Sequence, residues 1–374
     1  MSETTILVNS LREFLRREVE KIAEKVDRED YYPRDIVEKL GELGYLVPLQ
    51  NNLSYYDMVI SLEEMAKVSG SVALIADAQG ELVGEMLRLF ANESQKKQFL
   101  DPISRGKMIG SFALTEPTGG SDVGSMKTYA ERRNGEWVIS GRKMWITQGI
   151  YADLFITVAR TGSRRGELSV FLLPRSNCIE SRKIEVMGNR GTGTSEVVFR
   201  ECKADESQVV GEINRGWDMV NTVLEVGRLA ISGISIGLAE SALQEALSWA
   251  LNREAFGSKL YSFQGIKWYI ADSITKLTSV KSFMKEVSKK FEENSNTKGV
   301  YASMLKLLSG EVANQVVDLS LQIFGGMGYA KGTKIERIYR DVRLMRIGEG
   351  TDEVQRHIIS KYVEKYGIPT LDDI

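Results

Sequence analysis

The spacing of apolar residues changes period twice along this 374-residue chain, so a single structural class cannot accommodate all of it. At the start, Ile6, Leu7, Leu11, Leu15, Val19 and Ile22 recur at three- and four-residue steps, and apolar stretches at 54–69 and 72–90 keep that rhythm. Helices are the consequence. From about residue 110 the pattern becomes short β-branched and aromatic runs (SFALT, EWVISG, LFITVAR, LSVFLLP, SEVVFR) separated by Asn-Gly, Thr-Gly and other turn pairs. These runs predict a compact antiparallel β-domain. Helical spacing returns after residue 215: Val312, Val316, Leu319 and Ile323 form one stripe, and Gly227, Gly233 and Gly237 line a helix face where another backbone can pack closely. The expected organisation is a helical domain over 1–109, a β-domain over 110–215 and a bundle of four or five long helices over 216–374. No repeat or low-complexity linker separates them, so the three parts should share interfaces.

Charge and special residues narrow the function. The 49 basic and 51 acidic side chains nearly cancel, which leaves no electrostatic footprint for nucleic acid or an anionic membrane surface. No stretch approaches the apolar length of a membrane span, and the opening MSETTI reads as neither a secretory nor a mitochondrial signal. Cys178 and Cys202 are too few for a disulfide framework and lie in no metal or redox spacing, so both are expected to be reduced, structural residues of a cytoplasmic protein. His357 is the only histidine, and no second one completes a metal pair. No metal is expected, and proton chemistry must fall to other groups.

One carboxylate stands out. In RIGEGTDEVQR, residues 346–356, Thr351 is a good helix N-cap and Asp352 and Glu353 suit the positive end of the helix that follows. Glu349 has no such explanation. Gly348 and Gly350 on either side remove bulk, so another molecule could lie against the backbone there; the stretch also reads as an acidic residue in a surface turn. Two glycine clusters, GNRGTG at 188–193 and GGMGYAKG at 325–332, lack the βαβ setting of a nucleotide-binding loop and are rejected as such. In FALTEPTGGSD, residues 112–122, a strand ending at Thr115 enters a Pro-Gly-Gly loop with unhindered N–H groups beside Ser121, able to bond a flat heterocycle or a phosphate, or simply a turn. In KMWITQG, residues 143–149, strand alternation puts Trp145 and Thr147 on one face, where an indole and a hydroxyl could pack and bond a π-system, or fill a core.

Taken together these segments resemble the acyl-CoA dehydrogenase family of flavoproteins. TEPTGGSD, KMWIT, MGNRGTGTSE at 187–196, LEVGR at 224–228, NREAFG at 252–257, QIFGGMGY at 322–329 and EGTDE at 349–353 follow the family's order and rough spacing over essentially the whole chain. The resemblance implies an N-terminal α-helical domain, a middle antiparallel β-barrel and a C-terminal helical bundle. It further implies oxidation of an acyl-CoA thioester to its trans-2-enoyl form, with a base taking the Cα proton while hydride leaves Cβ for N5 of FAD. The family's usual base matches Glu349; the helix position that carries the base in a minority of relatives is Gly227 here. Covering Glu349 with substrate and flavin should raise its pKa from the about 4.3 of an exposed glutamate toward the operating pH.

The resemblance assigns the cofactor as FAD. Phe112, Leu114, Thr115, Gly120 and Ser121 match its ring and pyrophosphate contacts, and Trp145, Ile146 and Thr147 the ring-packing segment. Arg253, Phe256, Gln264, Gln322, Gly325 and Gly326 match the part of the FAD site given by a neighbouring subunit, with Thr351 and Glu353 as further contacts. A homotetramer, a dimer of dimers, is therefore expected. Glu225 and Arg228 match CoA contacts, though they also read as an i, i+3 ion pair; Ser121, Gly348 and Gly350 complete the substrate side. An electron-transfer flavoprotein is the implied partner. Three departures matter: Gly348 replaces the usual Tyr, as in isovaleryl-CoA-type members, which points to a branched, cyclic or otherwise wide acyl group within an expected short or branched substrate; Gly119 replaces Ala; and Asn189 replaces an apolar residue. Competing readings are an oxygen-using acyl-CoA oxidase or nitroalkane-oxidase-like enzyme, or a non-catalytic acyl-CoA-binding relative. A further C-terminal domain common in acyl-CoA oxidases is missing from this sequence, which favours the dehydrogenase.

Overall fold

The computed structural model describes residues 3–369. The first part is built from helices α1 (Glu3–Phe14), α2 (Ala23–Arg28), α3 (Arg34–Glu42), α4 (Tyr55–Val68), α5 (Gly70–Asp77), α6 (Glu85–Phe90), α7 (Glu93–Gln95) and α8 (Asp101–Ser104). Ser54 caps α4 with a full capping box to Asp57, and Ser69 starts α5 by accepting from the Val72 N–H. Between α5 and α6 the helix widens into a π-turn over Ala78–Gly84.

Strands β1 (Gly110–Ala113), β2 (Tyr129–Arg133), β3 (Glu136–Ile146), β4 (Leu154–Arg160), β5 (Leu168–Pro174), β6 (Ile179–Lys183), β7 (Ser195–Ala204) and β8 (Val209–Val210) form the middle. Their order is β6-β7-β3-β2-β4-β5-β8, with β1 joined to β4. The sheet is open, not the closed barrel the resemblance implied, and it is not wholly antiparallel. β1 runs parallel to β4, and β2 meets β4 in parallel at the single pair Tyr129 and Arg160. Asn134 and Gly135, both at positive φ, make the tight turn from β2 to β3.

The β6–β7 pairing overturns the expectation for the cysteines. Ile179 stands opposite Phe199, which brings Cys178 and Cys202 to a Cα separation of 5.3 Å, and the two sulfurs are bonded as a disulfide. Proximity came from strand register, which a search for local Cys spacing cannot see.

The last part comprises α9 (Gly216–Asn252), a small hairpin of β9 (Glu254–Ala255) and β10 (Ser258–Lys259), then α10 (Gln264–Glu292), α11 (Lys298–Phe324), α12 (Lys334–Val342) and α13 (Asp352–Tyr366). Three of the helices are long and two are short. α9 is central, packing on α4, α10 and α11. A Cβ on Gly233 would lie 2.5 Å from the Val59 carbonyl oxygen and one on Gly237 2.2 Å from that of Glu63, so the glycine face does meet a backbone, that of α4. Contrary to the sequence reading, α9 is long and apolar enough by length and composition to cross a membrane, yet 83% of its most apolar stretch is buried among the other helices. One apolar core runs through the N-terminal helices, β1, β4, β5 and the bundle, and a second fills the β-domain.

Candidate active site

The loop between α12 and α13 is fixed from three sides. Thr351 caps α13 by accepting from the Val354 N–H at 3.4 Å. Glu349 and Gly350 just before it both take left-handed backbone, φ +55° and +92°, a conformation that costs energy at glutamate and almost none at glycine. The buried Gln355 amide donates to the carbonyls of both residues at 3.0 and 2.9 Å, and Lys306 Nζ donates to the Gly350 carbonyl at 2.7 Å. The glycine at 350 is thus required by backbone conformation and by Gln355, whose Nε2 would lie 2.7 Å from any Cβ there. Gly348 is different, since a Cβ on it would come 3.1 Å from Ile231 Cδ1 of α9.

This turn sends the Glu349 carboxyl inward. Its Oε2 is out of solvent, has no hydrogen-bond partner, and lies 2.7 Å from where a Cβ on Gly227 would stand. Leu82, from the π-turn, closes the same spot at 3.2 Å. Burial pushes the Glu349 pKa up to about 7, against the pull of the Arg228 and Lys306 charges. Asp77, only 1% exposed and with Oδ1 unpartnered, is held well above the usual carboxylate range by burial and by the Glu349 charge. A carboxyl poised near neutrality with a free lone pair can accept a proton from a ligand.

β1 brings the second set of residues against the same π-turn. A Cβ on Gly110 would stand 2.5 Å from Val83 of the π-turn, so the strand packs directly on the segment that touches Glu349. Phe112 and Leu114 face the shared helical core, while Ala113 faces the β-domain core. The loop after Thr115 is anchored by Glu116, which accepts from the Lys127 and Thr128 N–H groups at 2.6 and 2.8 Å and from buried Lys143 at 3.1 Å. Gly120 and Ser121 are exposed beyond that anchor. Strand alternation fails at Trp145. The β3–β7 register slips between Lys143 and Ile146, Trp145 has φ +61°, and its side chain is left 56% exposed; Ile146 points into the β-domain core instead, and β3 ends there, before Thr147. Ser111 Oγ donates to the Thr147 carbonyl at 2.9 Å, and the Met144 N–H donates to that of Thr115 at 2.9 Å, tying the two segments side by side.

The other sequence-predicted residues lie apart from this group. Arg253, Phe256, Gln264, Gln322, Gly325 and Gly326 are all exposed, around the end of the bundle where Trp249 stacks on Phe324 at 4.9 Å; Phe256 is 96% exposed. Glu353 is exposed and Thr351 half-buried. Glu225 is half-buried with its carboxyl against Gly299 of α11, and burial raises its pKa. Arg228 is buried beside Glu349 with its Nε unpartnered.

Lys306, Asp77, Gln355 and the Lys143–Glu116 pair were absent from the sequence reading. The available signal was a charge at a buried helical position: Asp77 interrupts the apolar run at 72–90, and Lys306 follows Ala302 by one turn in α11. Asn189, unexplained by sequence, takes φ +49° and donates from its backbone N–H to Asp341 Oδ1 at 2.5 Å and from Nδ2 to the Asp341 carbonyl at 2.8 Å, joining the β-domain to α12.

The structure thus leaves an exposed indole, an exposed glycine loop in which the Gly119 N–H donates to the Glu116 carbonyl at 3.0 Å, and an unpartnered carboxyl oxygen on Glu349. Family models for the N-terminal, middle and C-terminal domains of acyl-CoA dehydrogenase match residues 1–107, 111–202 and 214–363. An acyl-CoA dehydrogenase of Bacillus subtilis (strain 168) is 32% identical over 96% of this chain and 98% of its own length. A caffeyl-CoA reductase-Etf complex subunit, CarC, of Acetobacterium woodii is 34% identical over the same shares. The solved butyryl-CoA dehydrogenase of Megasphaera elsdenii superposes with a TM-score of 0.94 at 26% identity, covering 98% of this chain and 99% of that one. With its three domains matched in order over nearly all of its length, the chain belongs to the acyl-CoA dehydrogenase family of FAD-dependent oxidoreductases.

Proposed function

We propose that this enzyme oxidises the Cα–Cβ bond of a short or branched acyl-CoA to the trans-2-enoyl thioester, with Glu349 as the base. The observation that carries this reading is the buried, unpartnered Oε2 of Glu349. Bound FAD supplies the acceptor for the hydride that leaves Cβ. The chain's own part is to place, dry and charge one carboxyl. Glu349 receives the Cα proton at its carboxyl; the left-handed turn fixes the direction of that group, and Leu82 and Gly227 bring apolar surface against it, which keeps it basic enough for the task. Arg228 and Lys306 oppose that rise, so a useful fraction remains ionised at neutral pH.

Phe112, Leu114, Thr115, Gly120, Ser121, Trp145 and Thr147 are assigned to the cofactor of the same subunit. Exposure of Arg253, Phe256, Gln264, Gln322, Gly325 and Gly326 supports their service to the site of a second copy in a homotetramer. Electrons are proposed to pass to an electron-transfer flavoprotein in the cytoplasm, in keeping with the Etf complex named for the A. woodii relative.

Gly348 makes the substrate prediction. The space a side chain would fill there lies against Ile231, next to the residue that takes the proton. Anaerobic flavin bleaching should therefore be about tenfold or more faster with isobutyryl- or isovaleryl-CoA than with butyryl-CoA, the scale of one methyl group in an apolar pocket. Equal rates would remove the branched-chain assignment.

A further inference from the structure

Lys306 lies midway along α11 with its side chain fully buried, where an apolar helix former would avoid the cost of desolvating an ammonium. Its Nζ bonds the Gly350 carbonyl at 2.7 Å and stands 3.9 Å from Asp352 Oδ1. Asp352 does not neutralise it alone, because Arg346 Nε claims Asp352 Oδ2 at 2.6 Å. The charged groups that face Glu349 are Arg228 from α9, Lys306 from α11 and Asp77 from α5; those that face Lys306 are Asp352, Glu349, Arg228 and Arg346. Lys306 is the one among them bonded to the turn that aims Glu349.

We propose that Lys306 is, together with Gln355, a positioning residue of the catalytic turn: through the Gly350 carbonyl it holds Glu349 in place, and its charge favours the carboxylate form that takes the Cα proton. This rests on the reading of Glu349 as the base. Burial draws the Lys306 pKa down to about 8, just above the region where Glu349 ionises.

The test uses the FAD-loaded enzyme with Lys306→Gln, which keeps an amide donor for the Gly350 carbonyl but no charge, and Lys306→Met, which keeps neither. Two quantities are read: the pH profile of anaerobic flavin reduction, and the carboxyl titration of the substrate-free protein by infrared difference, assigned with Glu349→Gln. In both variants the Glu349 midpoint should rise by about one pH unit, and reduction just below neutrality should slow about tenfold and recover a unit higher. Lys306→Arg should restore the wild-type midpoint. A Glu349 midpoint unmoved in both Lys306→Gln and Lys306→Met overturns the proposal, whatever happens to the rate. Near wild-type bleaching by Glu349→Gln would instead remove the base assignment itself, so the two failures are distinguishable.

Discussion

Glu349→Gln is expected to bind acyl-CoA and yet leave the flavin oxidised, with single-turnover reduction slowed about a thousandfold or more. General-base catalysis contributes roughly that much, and no second base is in position: Gly227 cannot serve, and Asp77 is held protonated by burial. Stability should move the other way. The Glu349 pKa is raised in the folded protein from the ordinary 4.5 to about 7, so the folded state binds the extra proton more tightly than the unfolded chain. That contribution is complete below the unfolded value and is lost as pH rises through the folded one, a change of about 3 kcal/mol. Glutamine resembles the protonated acid at every pH. The variant should therefore melt with wild type in acid and above it in mild alkali, measured by scanning calorimetry of both proteins across that range.

A leucine at Gly237 is expected to cost more than about 4 kcal/mol or to prevent folding, read as the midpoint of chemical denaturation. The first added atom would already sit 2.2 Å from the Glu63 carbonyl oxygen, which belongs to the backbone of α4 and cannot swing aside. Nor can α4 move alone. Glu63 and Glu64 are tied by Lys67, Lys281 and Arg12 into an ion network that also holds Glu240 on α9. Wild-type stability in this variant would mean that the two helices do not cross so closely. The same helix carries Gly227 and Arg228 about 15 Å further toward its start, so the crossing also sets where these two neighbours of Glu349 lie.

Patterns of local period reached most of the fold. The five β runs read from sequence are β1, β3, β4, β5 and β7, and the helical stretches on either side are helices. β2 and β6 escaped because YAERR and IESRK are mostly polar, with one buried residue each, so they carry no strong alternation; β8 has only two residues. Long-range pairing was the other blind spot. The parallel partnership of β1 with β4, the open sheet and the Cys178–Cys202 bond all depend on which strands meet, and that information is not local.

At the site, Glu349 between two glycines was legible as an anomaly because turn chemistry did not require an acid there. Its surroundings were not. Lys306 and Asp77 come from two helices and converge on it, beside Arg228, only after packing, and each looks in isolation like an imperfection in an apolar stripe. Trp145 shows the opposite error: strand alternation was extended through a residue whose left-handed backbone breaks it.

The most direct test of a buried glutamate as the base is the pH dependence of wild-type flavin reduction, followed anaerobically at limiting acyl-CoA. The rate should rise with pH through a midpoint near 7, as the dry carboxyl of Glu349 ionises in the free enzyme. A rise centred near the about 4.3 of an exposed glutamate, or a profile flat across the neutral range, would contradict it.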